Sequence, residues 1–225
     1  MKPNLPTVLS LNAGYVDTAG FLALHGLFTA HVTGNFVMIG QALAHGSSGI
    51  VSKLLALPVF CVTVVALQYV ALRTSAPPER ALRVMLVAKF LFLAAAAACA
   101  VSYGSFPDPD GLAPVLTGML LVTAMAIQNA AHRIHLASAP PSTLMTGTTT
   151  QIMLDLGSLL SGKAPEKPEA IRPRLARFTV AVVAFALGCG LAALAFVLLG
   201  MWCFALPPVL ALASIVLHEL EKNKV

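Results

Sequence analysis

Charge is what this chain lacks. Of its 225 residues only 10% are Asp, Glu, Lys or Arg, against about 25% in soluble domains. Too few charges remain to coat the surface of a soluble globule, so that class is excluded. Acidic residues are scarcest, nine against fourteen basic ones. The resulting net charge of +5 does not make a nucleic-acid surface, because the basic residues stand in short loops beside apolar runs. That pattern orients membrane helices, and no nucleic-acid partner is expected. Cysteine is sparse and scattered, at 61, 99, 189 and 203, with no CxxC or metal-ligand spacing. Buried free thiols are expected rather than a disulfide framework. HExxH, GxSxG and Walker signatures are absent. His132 and His135 form an i,i+3 pair, but Arg133 lies between them and its cation opposes a metal. Neither enzymatic activity, nor a cofactor, nor a metal is expected.

What the chain has instead is apolar length. Hydrophobic residues make up 58% of it, and runs of about 18 or more recur, each able to cross a hydrocarbon core of roughly 30 Å. Six spans are predicted, over 8–27, 50–72, 84–103, 112–132, 178–199 and 202–217. Pro58 is expected to kink the second, and Pro207-Pro208 to break or bend the sixth. The first contains Asp17 and runs too long for a signal-peptide core, so it is expected to remain in the mature protein. Two segments, 33–44 and 146–160, are too short to cross and read as half-helices.

Loop charge orients these elements. Arg73, Arg80 and Arg83 flank one loop, Lys163, Lys167, Arg172, Arg174 and Arg177 crowd another, and Lys222 and Lys224 close the chain. The loop 104–111 carries only acids. The positive-inside rule puts the basic loops and both termini in the cytoplasm and 104–111 outside, with Lys53 the one cation left on the outer side. The fourth span then reaches the cytoplasm near Arg133, and the chain is still cytoplasmic by Lys163. Residues 136–160 must therefore dip in and return. Residues 28–46 mirror them from outside. The expectation is an all-α membrane protein of six transmembrane helices and two re-entrant half-helices. They form two inverted repeats of three spans each, residues 1–104 and 112–220 of one membrane domain.

Each half carries the same interruption. Gly14-Tyr15-Val16-Asp17 precedes Thr33-Gly34-Asn35, and Ala126-Ile127-Gln128-Asn129 precedes Thr146-Gly147-Thr148. Irregular backbone at membrane depth survives only where it lines a cavity or is buried in protein. A half-helix starting there points unpaired N–H groups and a positive dipole end inward, a receptor for an anion or polar solute. Thr33 and Thr146 are expected as N-caps, and Gly34 and Gly147 allow close approach. The plainer reading makes both motifs ordinary helix caps. Asp17 is costly inside a bilayer and must find a partner or a proton. It serves either proton coupling and solute binding, or the backbone of the re-entrant leg. Asn129 is its neutral counterpart. Gln128 and Gln68 are candidate ligands or helix glue. His31 is a candidate gate or a satisfied structural histidine. Lys89 either snorkels to the cytoplasmic face or pairs with Asp17. Arg133 marks the interface or attracts anions to a vestibule.

The run Gly14-Tyr15-Val16-Asp17 with Phe28-Thr29-Ala30-His31-Val32-Thr33-Gly34-Asn35 resembles the YoaK-like family of bacterial membrane proteins. Gln128-Asn129 and Met145-Thr146-Gly147-Thr148 resemble its second-half elements. Ala126-Ile127 departs mildly from the Gly that often precedes Gln-Asn there. The likeness spans nearly the whole chain and implies a multi-pass protein of the bacterial inner membrane. It leaves the substrate open, since the family's function is undetermined.

The expected function is a secondary transporter or channel for a small, anionic solute, with a coupled proton. Its site would comprise Asp17, Thr33, Gly34, Asn35, Gln128, Asn129, Thr146, Gly147 and Thr148, with His31, Lys89 and Arg133 accessory. The alternatives are a membrane sensor or assembly protein, and an intramembrane enzyme acting through Asp17. Gly188-Cys189-Gly190 and the alanines at 94–98 mark close helix contacts, a homodimer surface among them.

Overall fold

The computed structural model describes residues 4–46, 49–162 and 166–222. Lys163 and Lys224, which entered the charge argument, lie outside the described residues. The described residues form eight α-helices and one 3₁₀ segment, with no strand among them. The helices are α1 (Leu5–Ala23), α2 (Gly34–His45), α3 (Ile50–Arg73), α4 (Pro78–Tyr103), α5 (Leu112–His135), α6 (Met145–Ser161), α7 (Pro168–Leu199) and α8 (Leu206–Lys222). The 3₁₀ segment, Gly200–Ala205, joins the last two.

Among the described residues, four stretches are long and apolar enough to cross a membrane: α3, α4, α5 and the run from Pro168 to Lys222. That run breaks at Gly200, whose φ of +56° suits glycine. Pro207 and Pro208 then sit in the first turn of α8, where their missing N–H groups cost nothing. Pro58, by contrast, lies inside an unbroken α3. α1 falls short as a span by composition because it is the innermost helix. Twelve of its nineteen residues are buried, among them Ser10, Asn12, Tyr15 and Asp17. Only Ser52, Lys53 and Ala56 are buried on α3. The more apolar helix faces outward and the more polar one inward, the order expected when the surroundings are hydrocarbon.

α1 lies chiefly on α7, and two glycines allow it. A Cβ on Gly14 would fall 2.1 Å from the Phe185 carbonyl oxygen, and one on Gly188 2.0 Å from that of Leu11. Backbones can meet this closely only where neither helix has a side chain in the way. Gly188 therefore packs inside one protomer. A Cβ on Gly190 would meet no heavy atom within 4 Å, so this glycine stays on the outer face. Elsewhere α3 packs on α5, α4 on α5 and α8, α1 on α8, α2 on α3, and α6 on α7. Two side chains of α1 satisfy carbonyls in the α7–α8 bend: Tyr15 Oη donates to Cys203 O (2.9 Å) and Asn12 Nδ2 to Pro207 O (3.4 Å).

Polar contacts gather residues at two ends. At one, Leu5 N donates to Glu221, His218 meets the Glu79 carbonyl, and Arg83 pairs with Glu219. At the other, Gly49 N and Val51 N donate to Asp110, His25 meets the Phe106 carbonyl, and Lys53 Nζ donates to His25 O.

Candidate functional site

The stretch between α1 and α2 turns sharply at His25 and Gly26, both with positive φ, and returns along α1 as an extended leg. Asp17 holds that leg. Its Oδ1 accepts from Thr29 N (2.7 Å), Ala30 N (2.8 Å) and Thr29 Oγ1 (3.3 Å). Its Oδ2 accepts from His31 Nδ1 at 2.6 Å. The carboxylate, 5% exposed, thus has both oxygens engaged, as a buried charge requires. Asn35 ties the leg back on itself: Oδ1 accepts from Phe28 N and Nδ2 donates to Phe28 O, both 2.9 Å. Asp17, His31, Phe28, Phe185 and Cys189 line a cavity of about 490 Å³. The His31 and Phe185 rings meet edge to face at 5.6 Å.

The second leg, between α5 and α6, is held by α5 in the same way. Thr143 Oγ1 donates to Asn129 Oδ1 (2.6 Å), Gln128 Nε2 donates to Ser142 Oγ (2.8 Å), and His132 meets the Ala139 carbonyl (3.1 Å). Gln128 also donates to Leu9 O of α1 (3.0 Å) and accepts from Lys89 Nζ. A second cavity, about 620 Å³, lies at the start of α6 and is lined by Met145, Thr146, Thr149 and Thr150. Arg174 clamps the far end of α6 through Asp155, with Nε and NH2 donating to its two oxygens.

Several expectations change in detail. Thr33 is not a cap: it is exposed, helical in conformation, and makes no side-chain cap bond. The first N–H groups of α2 turn instead to local carbonyls, Gly34 N to His31 O, Asn35 N to Val32 O and Phe36 N to Thr33 O. Thr146 also does not cap, because α6 begins one residue earlier, at Met145. The N–H groups of Met145, Thr146 and Gly147 find no acceptor among the described residues. Of the two short helices, only α6 presents an open positive end. Lys89 neither snorkels nor meets Asp17. Six residues past Arg83 puts it about 9 Å further into the bundle, where it is 1% exposed and bonded to Gln128. Asp17, Asn35, Gln128 and Thr148 are buried. Thr33, Thr146, Gly147 and Arg133 are exposed. The two cavities share no residue; Thr146 lines the second, whereas Thr33 lines neither.

Ser142 and Thr143 carry no motif that singles them out in the sequence, and Thr29 lies inside the run 28–35 without being marked there as a partner of Asp17. Their signal is spacing. Asp17 to His31 and Asn129 to Thr143 are both fourteen residues apart, a closer match than the offsets of the Thr-Gly pairs.

A family model described as "Protein of unknown function (DUF1275)" matches residues 5–217. The chain is 31% identical over 199 residues to the UPF0700 transmembrane protein YoaK of Bacillus subtilis (strain 168), covering 86% of this chain and 84% of that one. No solved structure matches.

Proposed function

The chain belongs to the DUF1275 family, and from that premise we propose a secondary transporter or channel for a small anionic solute, built as two inverted repeats in a bacterial inner membrane. The observation that carries this reading is the paired tie between a spanning helix and its leg. Asp17 on α1 and Asn129 on α5 each bond to the residue fourteen positions on, just ahead of a short helix. A duplicated interruption of this kind is a recurrent pointer to a transporter's binding site.

The packing supports the repeat. Exchange α1 with α5, α2 with α6, α3 with α7 and α4 with α8. The contact of α1 with α7 becomes that of α5 with α3. The contact of α2 with α3 becomes that of α6 with α7, and that of α4 with α5 becomes that of α8 with α1. The pairs α4–α8 and α1–α5 map onto themselves. The clustering at the two ends supports six crossings. Residue 5, the α4 start and the α8 end meet on one side, while 25, 49 and 104–111 meet on the other. α2 and α6 then enter and leave from opposite faces, and the basic side is cytoplasmic.

The solute site is the pair of leg regions. The unpaired N–H groups at the start of α6 supply an anion receptor beside the Thr146 and Thr149 hydroxyls. Asp17 and His31 supply the titratable wall. Uptake of radiolabelled chloride, nitrate, formate, acetate and phosphate into proteoliposomes tests the reading. Gly147→Leu is the discriminating variant, because a Cβ at Gly147 meets no atom within 4 Å. Bulk there crowds the exposed first turn of α6, next to Thr146 of the cavity lining, and meets no neighbour that would disturb the fold. Uptake of at least one anion by the parent protein, lost in Gly147→Leu, is expected. Equal uptake by parent and variant places the site elsewhere, and no uptake of any anion removes the reading.

A further inference from the structure

Asp17 and Asn129 occupy corresponding places, and the difference between them is informative. In the second half, a neutral amide and a hydroxyl hold the leg: Asn129 Oδ1 accepts from Thr143 Oγ1 at 2.6 Å. Fixing a leg to its spanning helix therefore needs no charge. In the first half the same two positions hold a carboxylate and an imidazole, 2.6 Å apart. An ionisable pair inside a bilayer is expensive, and attachment alone does not call for it.

The geometry divides the labour within the pair. Asp17 Oδ1 is taken by two backbone N–H groups and a hydroxyl, all of which donate. Oδ1 is thereby fully occupied, and Oδ2 alone faces His31. His31 points Nδ1 at Oδ2, so the neutral ring carries its hydrogen on Nδ1, where the carboxylate accepts it. The vacant lone pair is then on Nε2, which has no protein partner among the described residues. Its side chain is 34% exposed and lines the cavity beside Phe185 and Cys189. The titratable groups around that cavity are Asp17 from α1 and Cys189 from α7. α2 contributes no residue to the lining, and its Asn35 is neutral and bonded to Phe28.

Resting on the transport reading, we propose that His31 is the proton carrier of the transport cycle, and that Asp17 is a positioning residue which holds the ring by Nδ1 and leaves Nε2 toward the cavity. A proton from cavity water bonds to Nε2, giving an imidazolium paired with the Asp17 carboxylate. On release it returns from Nε2 to water. No other bond changes. The ion pair holds the leg of residues 28–33 more firmly on α1 than the neutral ring does, so proton binding closes the leg and release loosens it. The corresponding tie in the second leg, Asn129 to Thr143, contains no titratable group.

Two measurements test this. The first is ¹⁵N NMR of histidine-labelled protein in nanodiscs from pH 5 to 9, with His31 identified as the signal that His31→Gln removes. Nε2 is expected to gain its proton within that range while Nδ1 stays protonated, and the midpoint falls by about one pH unit or more in Asp17→Asn, since the neighbouring negative charge is gone. A ring that keeps one protonation state from pH 5 to 9 overturns the proposal, as does a midpoint that Asp17→Asn leaves in place. The second is the ratio of anion uptake with an acidic exterior to uptake without a gradient. Several-fold in the parent, it is expected to fall to about one in His31→Gln. A His31→Gln protein that keeps the parent ratio overturns the proposal while leaving the transport reading standing. If the parent moves no anion in either condition, the transport reading fails and the inference falls with it.

Discussion

A carboxylate in a bilayer is tolerable only when each oxygen has a donor, and Asp17 shows how few residues this takes. Thr29, Ala30 and His31, three consecutive positions, satisfy it. Replacement by Asn and by Ala should therefore part company. Asp17→Asn keeps an oxygen for Thr29 N and Ala30 N, so the fold is retained. Asp17→Ala strands two buried N–H groups, at about 1–3 kcal/mol each. Thermal unfolding in detergent checks this: a clear fall in midpoint is expected for Ala and a small one for Asn. Equal falls would mean that the charge, not the hydrogen bonds, secures the leg. Lys89 poses the complementary problem, a buried amine whose described partner is the Gln128 amide. Lys89→Met leaves Gln128 Oε1 without its donor and is expected to lower the unfolding midpoint. Replacing Gln128 by Leu as well also strips its bonds to Leu9 O and Ser142 Oγ, so the double variant is expected to be less stable still.

Among the elements, the α1–α7 crossing and the start of α3 make the sharpest claims. Gly188→Ala places a methyl group 2.0 Å from the Leu11 carbonyl oxygen and 2.9 Å from Tyr15 N. These are backbone atoms that cannot rotate away, so the helices must separate, at a cost of about 1–3 kcal/mol or more. Gly190→Ala, on the open face of α7, is expected to be nearly neutral by the same unfolding measurement. At the start of α3, Asp110 acts as a cap supplied from another part of the chain, accepting from Gly49 N (2.9 Å) and Val51 N (3.0 Å). Those two N–H groups hold its carboxyl below the usual carboxylate range, with Lys53 and His25 assisting and partial burial opposing. A depressed folded-state pKa means stability that is present above the unfolded value of about 3.9. It is lost as the pH falls through the lower folded value. Asp110→Ala is thus expected to cost about 1 kcal/mol at neutral pH, with the gap to the parent closing below about pH 4. A gap that persists in acid would show that the carboxylate is not the cap.

For the whole molecule the testable claim is topology. A cysteine at position 108, in a variant otherwise free of exposed thiols, is expected to react with an impermeant maleimide on intact cells, and one near Glu79 only after permeabilisation. The reverse pattern inverts the orientation. The outer face of α7 at Gly190 is also where a second copy would fit by close helix approach. Crosslinking between cysteines placed there in native membranes is expected to give dimer, and monomer alone would confine the small residues to packing within one protomer.

Composition alone determined that the chain is a helical membrane protein, because a bilayer accepts only long apolar helices or closed barrels and the runs here have helical length. The places of the two short helices were legible too: a segment of twelve residues, such as α2, is too short to cross. Asp17 stood out because a buried carboxylate is costly anywhere in lipid. The backbone of the following leg was one of the two roles open to it, and the structure shows that pairing; which residues of the leg do so was not legible. Backbone N–H groups carry no side-chain signature, so nothing in the letters Thr29-Ala30 announces that they serve a carboxylate. The partner of Lys89 was hidden for a related reason, since depth along a helix can be counted from sequence but the face it turns toward Gln128 cannot. The caps failed because a threonine before a glycine is compatible with a cap and with a continued helical turn, and the closing of local 3₁₀ bonds around Gly34 decided between them. Which glycine enables a crossing, which acid caps a distant helix, and which polar residue on α1 meets which leg all depend on contacts between segments remote in the chain. Sequence reports the cost of leaving a group unsatisfied, and only the packed structure says what satisfies it.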